Sequence, residues 1–489
     1  MSPFYTTTDH FVLVPAIMLA LFGCAVLLFD FLIFPEAKQR KYLIFFVVLG
    51  LAFTGGALWR QQHFLAAQGI PQITAFGGTL VIDGFALFFN WVFLAASLIA
   101  SLISYRYLEI EGEHHGEYYG LILLANCGMF FLSTGADLIT LFIGLELMAL
   151  CFYVMVGFLR ADKRSNEAAM KYLLLGSFSS GFLVYGFSVL YGLAGSTKLK
   201  DIAVALASRS ASDPMVLLAL ATTSVGLLFK VSAVPFHMWA PDVYEGAPTA
   251  VTAYLSVGSK AASFAFLLRM FLGPFASARA TWEPILIAVA IASMTVGNLA
   301  AITQTNVKRL LAYSAISHAG YILLGLVAGN DTGIQGVLVY LLVYTFMNLG
   351  AFLVIVALRR KGIPGEDLDD FAGLVHTSPS YAFLMLIFLL SLAGIPPTAG
   401  FIGKYFIFLS LIQTGHYVLA AIATLYVAVA IYYYFRIVRS MFISPLAEQA
   451  PVSSSFGMRL ALVITGIMTL GIGIYPEPFL NLAQTSLLR

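Results

Sequence analysis

The 489 residues are 60% hydrophobic and only 10% charged, with a formal net charge of +2. Soluble globular domains carry about 25% charged residues, so the composition excludes that class and indicates a polytopic, all-α membrane protein. No basic run is interleaved with aromatics, which sets nucleic acid aside as a partner.

A membrane-spanning helix needs about 20 predominantly apolar residues. Fourteen such segments are predicted, at 10–33, 42–59, 82–105, 118–134, 136–159, 168–192, 214–235, 247–271, 283–303, 308–328, 333–358, 381–412, 416–440 and 458–482. The second is short and the fourth nearly touches the fifth, so thirteen and fifteen are the competing counts. MSPFYTTTDH lacks the positive n-region of a secretory signal, and the first apolar run is read as a retained helix. Alternate loops then fall on opposite sides. Sixteen Lys and Arg collect on one side, from Lys38, Arg40 and Lys41 through Arg164, Lys308 and Arg309 to Arg359, Arg360, Lys361 and Arg459. Six collect on the other, among them Lys198, Arg279 and Arg489. The richer side is expected to be cytoplasmic, which places both termini on the other face and, for a bacterial source, the chain in the inner membrane.

Taken in order, five spans carry unusual side chains. Span five reads GLELMAL and holds Glu146; Asp137, at its start, suits a helix N-terminus. Span seven, VGLLFKVSAVPFHMWAPD, holds Lys230, then Pro235 and His237. Pro235 has no N–H, so the carbonyl of Val231 is expected to lose its helical partner. Asp242 and Glu245 follow in PDVYEGAP, where proton gathering and helix entry are competing readings. Span eight holds Lys260 in SVGSKAASF, and Arg269 near its end, where snorkelling to a headgroup is expected. Span ten holds His318 in AYSAISHAGYILL. The acidic stretch GEDLDDF that follows span eleven reads as a solvated connector. Span twelve, SLAGIPPTAGFIGKYF, holds Lys404 after Pro396 and Pro397, which are expected to free the carbonyls of Leu392 and Ala393.

An ionisable group at bilayer depth costs several kcal/mol or more unless paired, hydrated or neutralised. Freed backbone at that depth survives only when buried in protein or lining water. Four such groups, two beside proline breaks, point to charge movement. Burial disfavours a charged ammonium, so a buried lysine can load and release a proton near neutral pH. Glu146 is expected to pair with Lys230. Lys260 and Lys404 would continue the chain, with His237 and His318 as possible relays that titrate close to neutrality. The competing readings are a structural Glu146–Lys230 pair, a loop-capping His237 and a hydrogen-bonded core His318.

The two broken spans lie five apart, so 118–271 and 272–440 are expected to form two five-helix repeats. Five is odd, so the second would be inverted relative to the first. Three helices precede them within 1–117, and one follows within 441–489. Cys24, Cys127 and Cys151 are isolated in apolar runs and read as small buried hydrophobes. With no CxxC pair, no Walker loop and no GxGxxG after a strand, neither metal nor nucleotide is expected on this chain.

The runs GNLAAITQTNVKRLLAYSAISHAGYILLGL, FKVSAVPFHMWAPDVYEGAPTAVTAYLSVGSKAA and SLAGIPPTAGFIGKYF resemble the antiporter-like membrane subunits of the proton-pumping NADH:quinone oxidoreductase, respiratory complex I. The likeness extends from about Ile82 to Tyr434. It implies proton translocation through Glu146, Lys230, Lys260 and Lys404, with His237 and His318 matching the family's histidines. It also implies that FMN, iron–sulfur clusters and quinone belong to partner subunits, and that other membrane subunits, both antiporter-like and small, are neighbours of the chain in the bilayer. A multi-subunit cation/proton antiporter without NADH and a quinone-binding scaffold that pumps nothing are the competing functions.

Overall fold

The computed structural model describes residues 5–34, 39–360, 364–445, 452 and 454–488. Lys38, Lys361 and Arg489 of the charge comparison lie outside them. The chain opens with α1 (Thr7–Leu32), α2 (Leu43–Gln68), α3 (Gly84–Glu111), α4 (Gly116–Thr134), α5 (Leu138–Val156) and α6 (Lys163–Ala194). A short α7 (Leu199–Ala207) leads to α8 (Pro214–Lys230), α9 (Trp239–Gly246), α10 (Thr249–Tyr254) and α11 (Lys260–Leu272). Then come α12 (Arg279–Thr303), α13 (Val307–Ala328), α14 (Asp331–Leu358) and the one-turn α15 (Leu374–Thr377). The chain closes with α16 (Pro379–Ala393), α17 (Ala399–Gln413), α18 (Tyr417–Phe442), α19 (Phe456–Ile474) and α20 (Glu477–Thr485).

All fourteen expected segments are helical. Among the described residues, eleven helices are long and apolar enough to cross a membrane. The expected spans seven and twelve are discontinuous, as α8/α9 and α16/α17. Three details differ from the sequence reading. α2 runs on to Gln68 and ends where Gly69 adopts φ 62°. A hairpin of Gln72–Ala75 and Leu80–Asp83 sits between α2 and α3, in an otherwise all-α chain. The last span stops at Ile474, and α20 forms separately beyond Pro476.

α14 is apolar all round and is buried along its whole hydrophobic length, as are α10 and α11. α13 is nearly as enclosed, while α1, α2 and α18 bury only about a third of theirs and form the rim. Small residues let the helices approach closely. A Cβ on Gly297 of α12 would lie 2.6 Å from the Ser317 nitrogen on α13, and one on Gly320 would lie 2.7 Å from the Ala290 carbonyl. Cys127 and Cys151 are buried as expected, but Cys24 is exposed, because its face of α1 lies on the rim.

Candidate functional site

The first break begins at the lysine itself. α8 ends at Lys230, Ser232 takes φ 62°, the Val234–Pro235 bond is cis, and helix resumes at Trp239. Protein groups meet the freed backbone. The Ala233 N–H donates to the Leu228 carbonyl (2.9 Å), the Val234 N–H to Ser293 Oγ on α12 (2.9 Å), and Trp239 Nε1 to the Phe229 carbonyl (2.9 Å). Lys230 is buried; its Nζ donates to the Tyr153 hydroxyl (3.4 Å) and lies 5.8 Å from the centre of that ring. Tyr153 has this room because α6 carries Gly176 opposite, where any Cβ would collide with the phenol.

The expected Glu146–Lys230 ion pair is not formed. Among the described residues no ion pair within 4.0 Å involves either side chain. Ser180 on α6 donates instead to Glu146 Oε1 (2.5 Å). Glu146 precedes Tyr153 by two turns, about 10 Å along α5, so the tyrosine occupies the depth at which the lysine ends.

The second half of the site gathers around His318. α10 runs into a π-helical turn at Leu255–Ser259, and Lys260 follows at once. Such turns often mark functional positions. Lys260 Nζ donates to the Ala315 carbonyl on α13 (2.6 Å) and lies 5.8 Å from the Tyr344 ring. One turn along α13, His318 is buried with both ring nitrogens engaged: Nδ1 by the Tyr340 hydroxyl (2.6 Å) and Nε2 by the Tyr434 hydroxyl (3.1 Å). The Tyr434 hydroxyl also bonds Ser314 Oγ. Lys404 Nζ donates to the carbonyls of Leu392 (3.0 Å) and Ala393 (2.9 Å), the two that the proline pair was expected to free. Gly394, at φ 85°, gives the lysine its passage; a Cβ there would stand 2.8 Å from Lys404 Cδ. Lys404 Nζ lies 4.9 Å from the Tyr321 ring.

The six expected residues thus fall into separate groups. Lys260, His318 and Lys404 surround one tyrosine-lined interior. Lys230 rests on Tyr153, and Glu146 on Ser180. His237 is half-buried in the first break, where its carbonyl accepts from the Ala240 N–H (2.9 Å) and Nδ1 has no hydrogen-bond partner among the described residues.

Sequence reasoning missed an ionic cluster at the Lys/Arg-rich end. Glu366, in the stretch read as a solvated connector, is only 4% exposed, and Lys308 Nζ donates to it (3.0 Å). Arg164 and Arg359 each lie 3.5 Å from it, and Arg359 also holds Glu111 (2.5 Å). Burial pushes the Glu366 carboxyl up, but Lys308, Arg164 and Arg359 outweigh it and leave the group below the usual glutamate range. Asp242 and Glu245 belong to the same end. Arg309 holds both, at 2.8 and 2.9 Å, and Lys171 holds Asp242 at 2.9 Å. Against its partial burial, Lys171 and Arg309 hold the Asp242 carboxyl down. Arg269 does not snorkel: it is buried, donates to the Ser133 carbonyl (2.6 Å) and pairs with Asp83 (3.0 Å), which caps α3. Only Arg269 offered a plain signal, a lone base in an apolar run; Glu366 stands among Asp367, Asp369 and Asp370, a pattern that reads as solvated.

A family model described as NADH:quinone oxidoreductase/Mrp antiporter, transmembrane, matches residues 135–430. The chain is 75% identical to NADH-quinone oxidoreductase subunit N 2 of Solibacter usitatus, covering 100% of this chain and 99% of that one. It is 43% identical to NADH-quinone oxidoreductase subunit N of Trichlorobacter lovleyi, over 98% and 97% of the two chains. Among solved structures, a chain of respiratory complex I from Thermus thermophilus aligns with TM-score 0.79 and 32% identity, over 96% of this chain and 99% of that chain. A chain of the Mrp complex from Dietzia sp. DQ12-45-1b shares the fold at TM-score 0.84 and 21% identity, over 98% and 97%. The chain therefore belongs to the NADH:quinone oxidoreductase/Mrp antiporter transmembrane family, among its NADH-quinone oxidoreductase subunit N members.

Proposed function

We propose that the chain is a proton-translocating subunit of an NADH:quinone oxidoreductase, with no redox centre of its own. The observation that carries this reading is the trio of buried lysines, Lys230, Lys260 and Lys404, none of them in an ion pair within 4.0 Å among the described residues. Each rests on neutral oxygens, a phenol or backbone carbonyls. A permanent charge in such a site is costly, whereas an amine that alternates between protonated and neutral forms suits it. Lys260, His318 and Lys404 form the interior section of the route. Glu146 and Lys230, separated by Tyr153, form the control point. A pulse from the quinone-reducing part that brings the carboxylate toward the amine favours the ammonium; its withdrawal favours release. His237 serves as a relay at the mouth of the first break.

In this reading NADH oxidation, FMN, iron–sulfur clusters and quinone reduction reside in partner subunits. The chain sits among antiporter-like and small membrane subunits in a bacterial inner membrane, with its charge-rich end cytoplasmic and both termini on the opposite face. Residues 118–271 and 272–440 act as two inverted five-helix units, each with one broken helix.

A second reading, subunit of a multi-subunit cation/proton antiporter, draws on the shared fold of the Mrp chain. Mild purification separates them: a peripheral arm with flavin, iron–sulfur clusters and NADH oxidation is expected only for the first. The lysine mechanism is tested with Lys230→Ala and Lys404→Ala complexes in vesicles. Their rate of proton pumping is expected to fall about tenfold or more, a barrier change of at least ~1.4 kcal/mol. Parent-like pumping in both would refute it.

A further inference from the structure

The interior between Lys260 and Lys404 is lined by phenols, two of which bond one imidazole through their hydroxyls. Tyr340, Tyr344 and Tyr434 are at most 1% exposed. A buried phenol normally settles on a backbone carbonyl or a water, and each exception calls for a reason. Tyr340 and Tyr434 spend their hydroxyls on the two nitrogens of His318, at 2.6 and 3.1 Å. Tyr344, one turn from Tyr340 on α14, has a hydroxyl with no hydrogen-bond partner among the described residues, although its ring lies 5.2 Å from that of His318 and 5.8 Å from Lys260 Nζ. On the far side, the Tyr340 ring packs on Gly403, next to Lys404; a Cβ on that glycine would stand 2.9 Å from it.

We propose that Tyr434 and Tyr340 are proton-carrying residues on the two sides of His318, and that Tyr344 is the hydroxyl through which Lys260 joins them. This rests on the proton-translocation reading above. A phenol both donates and accepts, as does a neutral imidazole through its two nitrogens. The chain Tyr434–His318–Tyr340 is therefore a continuous donor–acceptor path already hydrogen-bonded in this structure. Its two ends are open, because both lysines are docked on backbone carbonyls. When Lys260 leaves Ala315, its ammonium gives a proton to the Tyr344 oxygen as that phenol's own proton moves to Tyr434. Tyr434 passes its proton to His318 Nε2, Nδ1–H gives one to Tyr340, and Tyr340 protonates the neutral amine of Lys404. One N–H or O–H bond forms for each that breaks, no phenolate remains, and no further reactant is consumed.

The test uses the whole complex in vesicles, with Tyr340→Phe, Tyr344→Phe and Tyr434→Phe, and with Lys404→Ala alongside. Phenylalanine keeps the ring, and intact NADH oxidation by an artificial acceptor reports the assembled peripheral arm. Proton pumping is expected to fall about a hundredfold or more in each Phe variant, the low end of the 10²–10⁴ range of a positioned proton-transfer group. A solvent deuterium effect on pumping larger than the parent's is expected with it. Tyr118→Phe is the control: that buried hydroxyl bonds Ser104 Oγ on α3 (2.9 Å), outside the chain through His318, and parent-like pumping is expected. Tyr340→His, which restores a group that can carry a proton, should recover pumping relative to Tyr340→Phe; equal loss in both would assign Tyr340 to packing and overturn the relay. Parent-like pumping in the Phe variants while Lys404→Ala is inactive would also overturn the relay and leave the lysine mechanism standing. Parent-like pumping in Lys404→Ala would remove both.

Discussion

Lys308 and Glu366 are each at most 4% exposed; Lys308 depends on Glu366 for its charge to be tolerated, and Glu366 on Lys308 first, with Arg164 and Arg359 farther off at 3.5 Å. Lys308 also donates to the Ala247 carbonyl (2.7 Å), while Thr249 donates to Glu366 Oε1 (3.2 Å). Removing one member of such a pair leaves a buried charge, at a typical cost of 3–5 kcal/mol, whereas replacing both with apolar groups is often close to neutral. Glu366→Gln and Lys308→Met are each expected to lower thermal stability in detergent strongly. The double variant should recover most of the loss, and additive losses would show that the pair is not the source. The pH dependence follows from the same carboxyl. Its folded-state pKa lies below the ordinary value of about 4.3, so its contribution is fully present above about pH 4.3 and is lost as pH falls through the lower folded value. The parent's melting temperature should hold from pH 7 to about pH 5 and drop below pH 4, with a smaller acid drop in Glu366→Gln.

At the level of elements, the two breaks were legible because proline removes a specific donor. Pro396 and Pro397 identify the carbonyls of Leu392 and Ala393, and those are the ones that hold Lys404. The π-turn before Lys260 was not legible, since LSVGS contains no residue that forbids an ordinary helix. The Glu146–Lys230 expectation failed for a related reason. Hydropathy gives depth along a helix but not direction around it, and Tyr153 and Ser180 decide which neighbour each charge meets. Gly394 gives an element-scale prediction. Alanine at φ 85° costs roughly 1–2 kcal/mol, and its Cβ would press on the Lys404 stem. Gly394→Ala is expected to reduce proton pumping several-fold with the charge inventory unchanged, measured per NADH in assembled complexes. Gly192→Ala, whose Cβ meets nothing within 4 Å in α6, should leave pumping as in the parent.

Across the whole molecule, the Lys/Arg tally separated loops that do meet in space. Arg164 and Lys171 of α6, Lys308 and Arg309 of α13 and Arg359 at the end of α14 share the acids Glu111, Asp242, Glu245 and Glu366 at one end. The class was readable from composition, and each predicted apolar segment is helical, because apolar length survives any packing. The pairings at that end were not, because they form between loops far apart in the chain. Sidedness is the property of the whole that can be measured directly. Cys24 is exposed and Cys127 and Cys151 are buried, so a Cys24→Ser background leaves no accessible thiol from the native set. Single cysteines at Ser210, in the sparsely charged loop before α8, and at Lys163, at the start of α6, are both exposed. A membrane-impermeant thiol reagent added to intact cells is expected to label Ser210→Cys and spare Lys163→Cys, with the pattern reversed in inside-out vesicles. Labelling of Lys163→Cys from outside would place the ionic cluster on the outer face and turn the proposed direction of proton movement around.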